Sequence, residues 1–228
     1  MIKFDKITKK FPSGQLALAD IDVDIQKGEF VFVVGSSGAG KSTLLKIITR
    51  EVEPTTGKIY FNGEDILKIP SHKLPILRRR IGTVFQDFKL LPTRTVFENV
   101  AMPLEVVSRK EAEIEREVAS ILEKVGLLEK ASSFPAQLSG GEIQRTAIAR
   151  AIISKPDVLL ADEPTGDLDP KTALAVVELL EKINDDHKTI VIVATHNSQI
   201  VDHFKKRVLI LEHGKLIKDE KQGKYATS

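Results

Sequence analysis

The run Gly35-Ser36-Ser37-Gly38-Ala39-Gly40-Lys41-Ser42-Thr43 carries the clearest chemistry in the chain, because its small residues and its lysine are spaced as a phosphate cradle requires. In the pattern G-x-x-x-x-G-K-[ST], glycines let backbone N–H groups converge on an anion that the N-terminus of the following helix also attracts. Lys41 is placed to reach the β- and γ-phosphates of a nucleotide, and the Ser42 hydroxyl to ligate its Mg²⁺. A plain glycine-rich turn between a strand and a helix is the competing reading.

Two carboxylates supply a second element. Val158-Leu159-Leu160-Ala161 reads as a hydrophobic strand ending in Asp162 and Glu163, and Pro164 stops it. Asp162 at the strand end is suited to hold Mg²⁺ directly or through water, and Glu163 to polarise an attacking water. Without the phosphate loop the pair would be an acidic turn. A third element is Leu138-Ser139-Gly140-Gly141-Glu142-Ile143-Gln144. Ser139 and Glu142 form S-x-x-E, a helix capping box. Capping alone does not require two successive glycines, which expose backbone donors where a phosphate can sit. Both uses are compatible.

These residues need a frame. Ile21, Val23 and Ile25 alternate with Asp20, Asp22 and Asp24, residues 2–8 alternate weakly, and residues 58–62 form a short strand after Gly57. Half-solvated antiparallel strands have this pattern. Residues 30–34, 158–161 and 190–194 are instead continuous aliphatic or β-branched runs, the mark of parallel strands covered on both faces. Between them Ile114, Val118, Ile121, Leu122 and Val125 fall on one helical stripe that Gly126 ends, and a second helix starts near Gly140. Residues 87–155 thus read as a helical insertion into a nucleotide-binding core.

The whole chain sets outer bounds. Its 228 residues are enough for a well-buried core, and 42% hydrophobic with 29% charged residues describes an ordinary globular protein. A net charge of +2, from 34 basic and 32 acidic residues, gives no general field for polyanions, so nucleic acid is not an expected partner. Absence of cysteine excludes disulfides and thiolate metal sites. No apolar run reaches signal-peptide or membrane-spanning length, which predicts a cytoplasmic chain whose membrane role, if any, comes through a partner.

LSGGEIQ, taken with the phosphate loop and the strand ending in Asp162-Glu163, resembles the signature of the ABC ATPases, with Ile143 where that family usually has Gln. The resemblance implies an α/β fold: a P-loop NTPase (RecA-like) parallel-sheet core with a small antiparallel β layer and an inserted helical subdomain. Residues 1–86 and 156–228 would form the core, and residues 87–155 the helical subdomain carrying the signature. By the same resemblance Phe11 would stack on adenine, and Gln86 would link Mg²⁺ and the attacking water to a membrane partner. Asp169 would belong to the loop that crosses to the opposite subunit, and is also a good N-cap ahead of Pro170. His196, just past the carboxyl end of the 190–194 run, would contact the γ-phosphate. One phosphate loop and one signature per chain imply a homodimer on ATP binding, with Ser139, Gly140 and Gly141 completing the partner's site.

Residues 162–169, DEPTGDLD, are similar to the DEPTGNLD form of the branch holding lipoprotein-release, macrolide-export and cell-division ATPases. Within it, residues 78–106 look most like the cell-division ATP-binding (FtsE) proteins. That resemblance implies an integral membrane partner of the FtsX kind, docked near Phe88, Leu90, Leu91 and Pro92, at the cytoplasmic face of the plasma membrane. ATP-driven closure would then activate cell-wall hydrolysis during division. The nearest rival is an exporter or lipoprotein-release ATPase. A rival of another class, an ATP-binding scaffold without turnover, is disfavoured by intact Glu163 and His196.

Overall fold

Strands that alternate apolar and polar residues assemble into one sheet, and strands that are apolar throughout form the centre of another. The computed structural model describes residues 1–223. The chain opens with β1 (Ile2–Lys10), β2 (Leu16–Ile25), β3 (Phe30–Val34) and α1 (Lys41–Ile48). Then come β4 (Thr56–Phe61), β5 (Glu64–Asp65), α2 (Leu74–Arg79) and β6 (Ile81–Val84). The helices α3 (Val96–Glu105), α4 (Glu111–Lys124) and α5 (Gly140–Ile152) precede β7 (Val158–Asp162). The last elements are α6 (Pro170–His187), β8 (Ile190–Thr195), α7 (Ser198–Phe204), β9 (Arg207–Glu212) and β10 (Lys215–Glu220).

The smaller sheet has the order β2-β1-β4-β5 and is antiparallel throughout. In β2 the residues Ile21, Val23 and Ile25 are buried while Asp20, Asp22 and Asp24 face solvent, as period-two alternation requires. The larger sheet has the order β10-β9-β3-β8-β7-β6, parallel from β9 to β6, with β10 as an antiparallel edge. Alternation inside β3 decides which layer each side chain enters. Val31 and Val33 join α1 and the antiparallel sheet in one core, whereas Phe30, Phe32 and Val34 join α5, α6 and α7 in another. A third cluster holds α3, α4 and α5 together through Val100, Leu104, Val118 and Leu122. Each such buried aliphatic side chain contributes roughly 1.5–3 kcal/mol over leaving it in water, so the α4 stripe is held by packing more than by helix propensity.

Because β3, β8, β7 and β6 are adjacent and parallel, their carboxyl ends open on one edge of the sheet. Gly35, His196, Glu163 and Gln86 each lie within two residues of such an end. Residues separated by as many as 161 positions in sequence are thereby gathered at one crevice, where open α/β sheets bind ligands.

Candidate active site

The loop after β3 is shaped by crowding as much as by backbone freedom. Gly35 has φ +152° and Gly40 φ +105°; a Cβ at Gly35 would lie 2.2 Å from the Leu211 carbonyl oxygen, and one at Gly40 2.4 Å from that of Ala17. Neither position admits another residue without backbone movement. The helix α1 that follows has no side-chain cap. Thr95, Ser139, Asp169 and Asn197, by contrast, cap α3, α5, α6 and α7. Ser42 and Thr43 in its first turn line a cavity of about 570 Å³, so the positive end of α1 opens onto it.

Lys41 is only 7% exposed. Its Nζ donates to the carbonyl oxygens of Gly35 at 2.8 Å and Ser36 at 3.2 Å, and lies 3.6 Å from Glu163 Oε1. A buried ammonium without partners would cost several kcal/mol, and these acceptors offset that in the absence of an anion. Glu163 is held in the left-handed region at φ 47°, its N–H bonded to the Ala194 carbonyl at 2.8 Å. Such backbone strain in a non-glycine residue collects at functional sites. Its Oε1 also lies 3.0 Å from His196 Nδ1, so one carboxylate oxygen faces both the lysine and the histidine.

Asp162 ends β7 beside this group. Burial raises its carboxyl above the ordinary carboxylate range, the Ser42 hydroxyl opposes that rise, and the neighbouring Glu163 adds to it. Its Oδ1 is buried and has no hydrogen-bond partner. An orphaned anionic oxygen next to a serine hydroxyl suits a divalent cation, since oxygen donors are what Mg²⁺ prefers. Phe11 and Gln86 form further walls of the cavity, and Lys9 Nζ lies 5.2 Å from the Phe11 ring centroid. Gln15 and Ala17 also line it, positions that no residue pattern singles out.

The signature segment lies elsewhere. Ser139 and Gly140 are exposed, and Ser139 forms the capping box: it accepts from Glu142 N at 3.4 Å while Glu142 Oε2 accepts from Ser139 N at 2.8 Å. That backbone bond holds the Glu142 carboxyl below its usual range. Gly141 is buried, with Thr172 Cγ2 2.6 Å from where a Cβ would stand. Asp169 caps α6 through Lys171 N and Thr172 N, both at 3.1 Å. Ser139, Gly140, Gly141 and Asp169 are absent from the walls of the phosphate cavity.

The four apolar residues after Gln86 divide into two pairs. Phe88 and Leu90 are half-buried and pack on the core formed by β3, β7 and the helices, whereas Leu91 is 37% exposed and Pro92 is also exposed. The four therefore do not make one exposed apolar patch. The chain emerges from the buried β6, and its first apolar side chains are used to cover the sheet. Among the described residues no helix is long and apolar enough to cross a membrane.

A sequence model of the ABC transporter family matches residues 18–166, which span the phosphate loop, the signature and the carboxylate pair. The chain belongs to that family. This ABC cassette is 51% identical over 227 residues to the cell division ATP-binding protein FtsE of Bacillus subtilis, covering 100% of the chain and 99% of the relative. The cell division ATP-binding protein FtsE of Mycobacterium tuberculosis is 48% identical over 226 residues, covering 99% and 98%. Among solved structures, a dimeric post-hydrolysis state of the ATP-binding cassette MJ0796 bound to ADP and Pi matches with a TM-score of 0.89 at 36% identity, over 99% of this chain and 100% of that one. The cassette is an ABC-type ATPase that binds ATP, and by sequence it stands with the cell-division ATP-binding proteins.

Proposed function

We propose that the cassette hydrolyses MgATP at the crevice of the parallel strands, and that two copies couple this to an integral membrane partner of the FtsX kind. The observation that carries the reading is the placement of Glu163, with Oε1 3.0 Å from His196 Nδ1 and 3.6 Å from Lys41 Nζ, at the wall of a cavity that also takes in the uncapped start of α1. The loop from Gly35 to Thr43 wraps the β- and γ-phosphates with backbone N–H groups, and Lys41 exchanges its carbonyl partners for phosphate oxygens. Phe11 packs against the adenine. Ser42, Asp162 and Gln86 would hold Mg²⁺, which would supply positive charge to offset that of the nucleotide phosphates. Glu163 accepts a proton from a water that attacks the γ-phosphorus in line, the bond to the bridging oxygen breaks, and ADP and phosphate leave. His196 donates to the γ-phosphate and keeps Glu163 aimed.

Ser139, Gly140 and Gly141 reach no phosphate within their own chain, so they complete the site of a second copy, with Asp169 at the crossing between the two. The similarity to the MJ0796 dimer supports that arrangement. The similarity to FtsE supports a role at the cytoplasmic face of the plasma membrane, where closure of the dimer is transmitted to cell-wall hydrolysis during division. Leu91 and Pro92, the exposed apolar residues just after Gln86, are the docking residues of that reading. Leu91→Asp is expected to leave the chain folded and able to bind ATP while abolishing co-purification with the membrane protein. A folded variant that still associates normally would remove Leu91 from the interface.

A further inference from the structure

The backbone just after Gln86 is unusual. Phe88 and Lys89 both have positive φ, 57° and 47°, and neither is glycine or asparagine. Two consecutive residues in that region carry strain that the surroundings must offset. The offset comes from α5: Arg150 donates through Nη1 to the Lys89 carbonyl at 2.6 Å and through Nη2 to the Phe88 carbonyl at 2.8 Å. Burial lowers the pKa of this guanidinium from its ordinary value. Among the described residues Arg150 has no ion pair, so its planar fork is committed to the two carbonyls. The far side of the segment is held separately. Asn99, fully buried on α3, accepts from Leu91 N at 2.8 Å and donates to the carbonyls of Leu91, Arg94 and Thr95 at 2.9–3.1 Å.

The base of the fork is itself fixed. At Gly82 on β6 a Cβ would lie 2.4 Å from the Ala151 carbonyl oxygen, so α5 touches the strand directly, one residue from Arg150. Gln86 leaves the end of that same strand and has α5 at the opposite end of the Phe88–Lys89 grip. Gln86 itself is exposed on the wall of the phosphate cavity and makes no side-chain hydrogen bond among the described residues, so no side-chain partner fixes its direction.

We infer that Arg150 is a positioning residue for nucleotide hydrolysis: by gripping the Phe88 and Lys89 carbonyls from α5 it holds Gln86 against the phosphate cavity. The inference rests on the reading that Gln86 serves the bound nucleotide. It makes the helix that begins at the signature responsible for the aim of a residue in its own chain's cavity. Lysine at position 150 keeps the charge but cannot fork between two carbonyls, and methionine removes both donors at similar length.

The test uses the full chain and measures phosphate release at saturating MgATP, affinity for a fluorescent ATP analogue, and thermal unfolding. The variants are Arg150→Lys, Arg150→Met, Gln86→Ala and Arg150→Lys with Gln86→Ala. Expected are turnover falls of about tenfold for Gln86→Ala and for Arg150→Met, a smaller one for Arg150→Lys, and nucleotide affinity within about twofold of the parent. The combined variant should lose no more than Gln86→Ala alone, because residues acting through one another are not additive. Full turnover in a folded Arg150→Lys, or a multiplicative loss in the combined variant, would overturn the inference. Full turnover in Gln86→Ala would instead remove the underlying reading of Gln86. If Arg150→Met fails to fold, the Arg150→Lys pair still decides.

Discussion

The phosphate loop and the signature segment are both glycine-bearing turns that open a helix, and they finish those helices in opposite ways. At α1 the N-terminus has no side-chain cap, Gly35 and Gly40 are pressed against neighbouring backbone, and the buried Lys41 is held by carbonyls. At α5 the N-terminus is closed by Ser139 and Glu142, and Ser139 and Gly140 stand in solvent. The first is an unsatisfied anion site in a preorganised wall. The second has its first-turn donors satisfied by its own side chains, and in the proposed reading it serves as an anion site only for a phosphate that a second copy brings. On the proposed shared-site reading, one chain holds half of each of two sites: an uncapped half that meets the nucleotide of its own cavity, and a capped half that meets the nucleotide of a second copy.

Loss of the lysine charge at α1 should do the most damage. Lys41→Ala is expected to weaken MgATP binding by at least about a hundredfold, since the loop then has no cation for the β- and γ-phosphates, and calorimetric titration of the full chain reads this directly. Binding close to that of the parent would show that the α1 half does not depend on its lysine. Glu163→Gln comes next. It should retain ATP binding, lose turnover by about a hundredfold or more, and roughly double in mass with ATP in the ultracentrifuge, because nucleotide adds contacts to the partner's signature. An unchanged mass at high protein concentration would count against the shared site.

Ser139→Ala acts at the capped end of α5. It should lower turnover by about tenfold with nucleotide affinity of the single chain unchanged, and cost about 1 kcal/mol in chemical unfolding through the lost cap. Weaker binding in the monomer would mean that the segment belongs to its own chain's cavity. The smallest effect concerns Asp162. Its carboxyl is raised in the folded chain by burial, so it favours the fold when protonated; without nucleotide, stability from this group is present below the ordinary carboxylate range and lost as pH rises through the raised value. Asp162→Asn should therefore make the nucleotide-free chain slightly more stable at neutral pH while weakening Mg²⁺-dependent binding. A chain destabilised by that change at neutral pH would contradict the burial argument.

The sheet layers were legible where one residue property decides placement. Residues 30–34, 158–161 and 190–194 are apolar on both faces and became β3, β7 and β8, and the alternation around Ile21 to Ile25 marked β2. The capping role of Ser139 and Asp169 was readable for the same reason, since a cap is settled within three residues. Features made by distant parts of the chain left no local trace. The left-handed backbone at Glu163 depends on its bond to Ala194, the raised Asp162 on the burial of β7, and the half-burial of Phe88 and Leu90 on the helices that roof the sheet. The grip of Arg150 joins residues 61 and 62 positions apart, which no spacing rule anticipates.

A tilt of α5 about its contact with the bare Cα of Gly82 would have its fulcrum near one end of the helix, at Ala151. At 1.5 Å per residue the opposite end, at Ser139, lies about 18 Å away, so a tilt of about 5° at the fulcrum carries the Ser139 hydroxyl about 1.5 Å, half the length of a hydrogen bond. A side chain at position 82 would widen the pivot and spoil that leverage, while leaving the Gly35 loop, on the far side of β8, undisturbed.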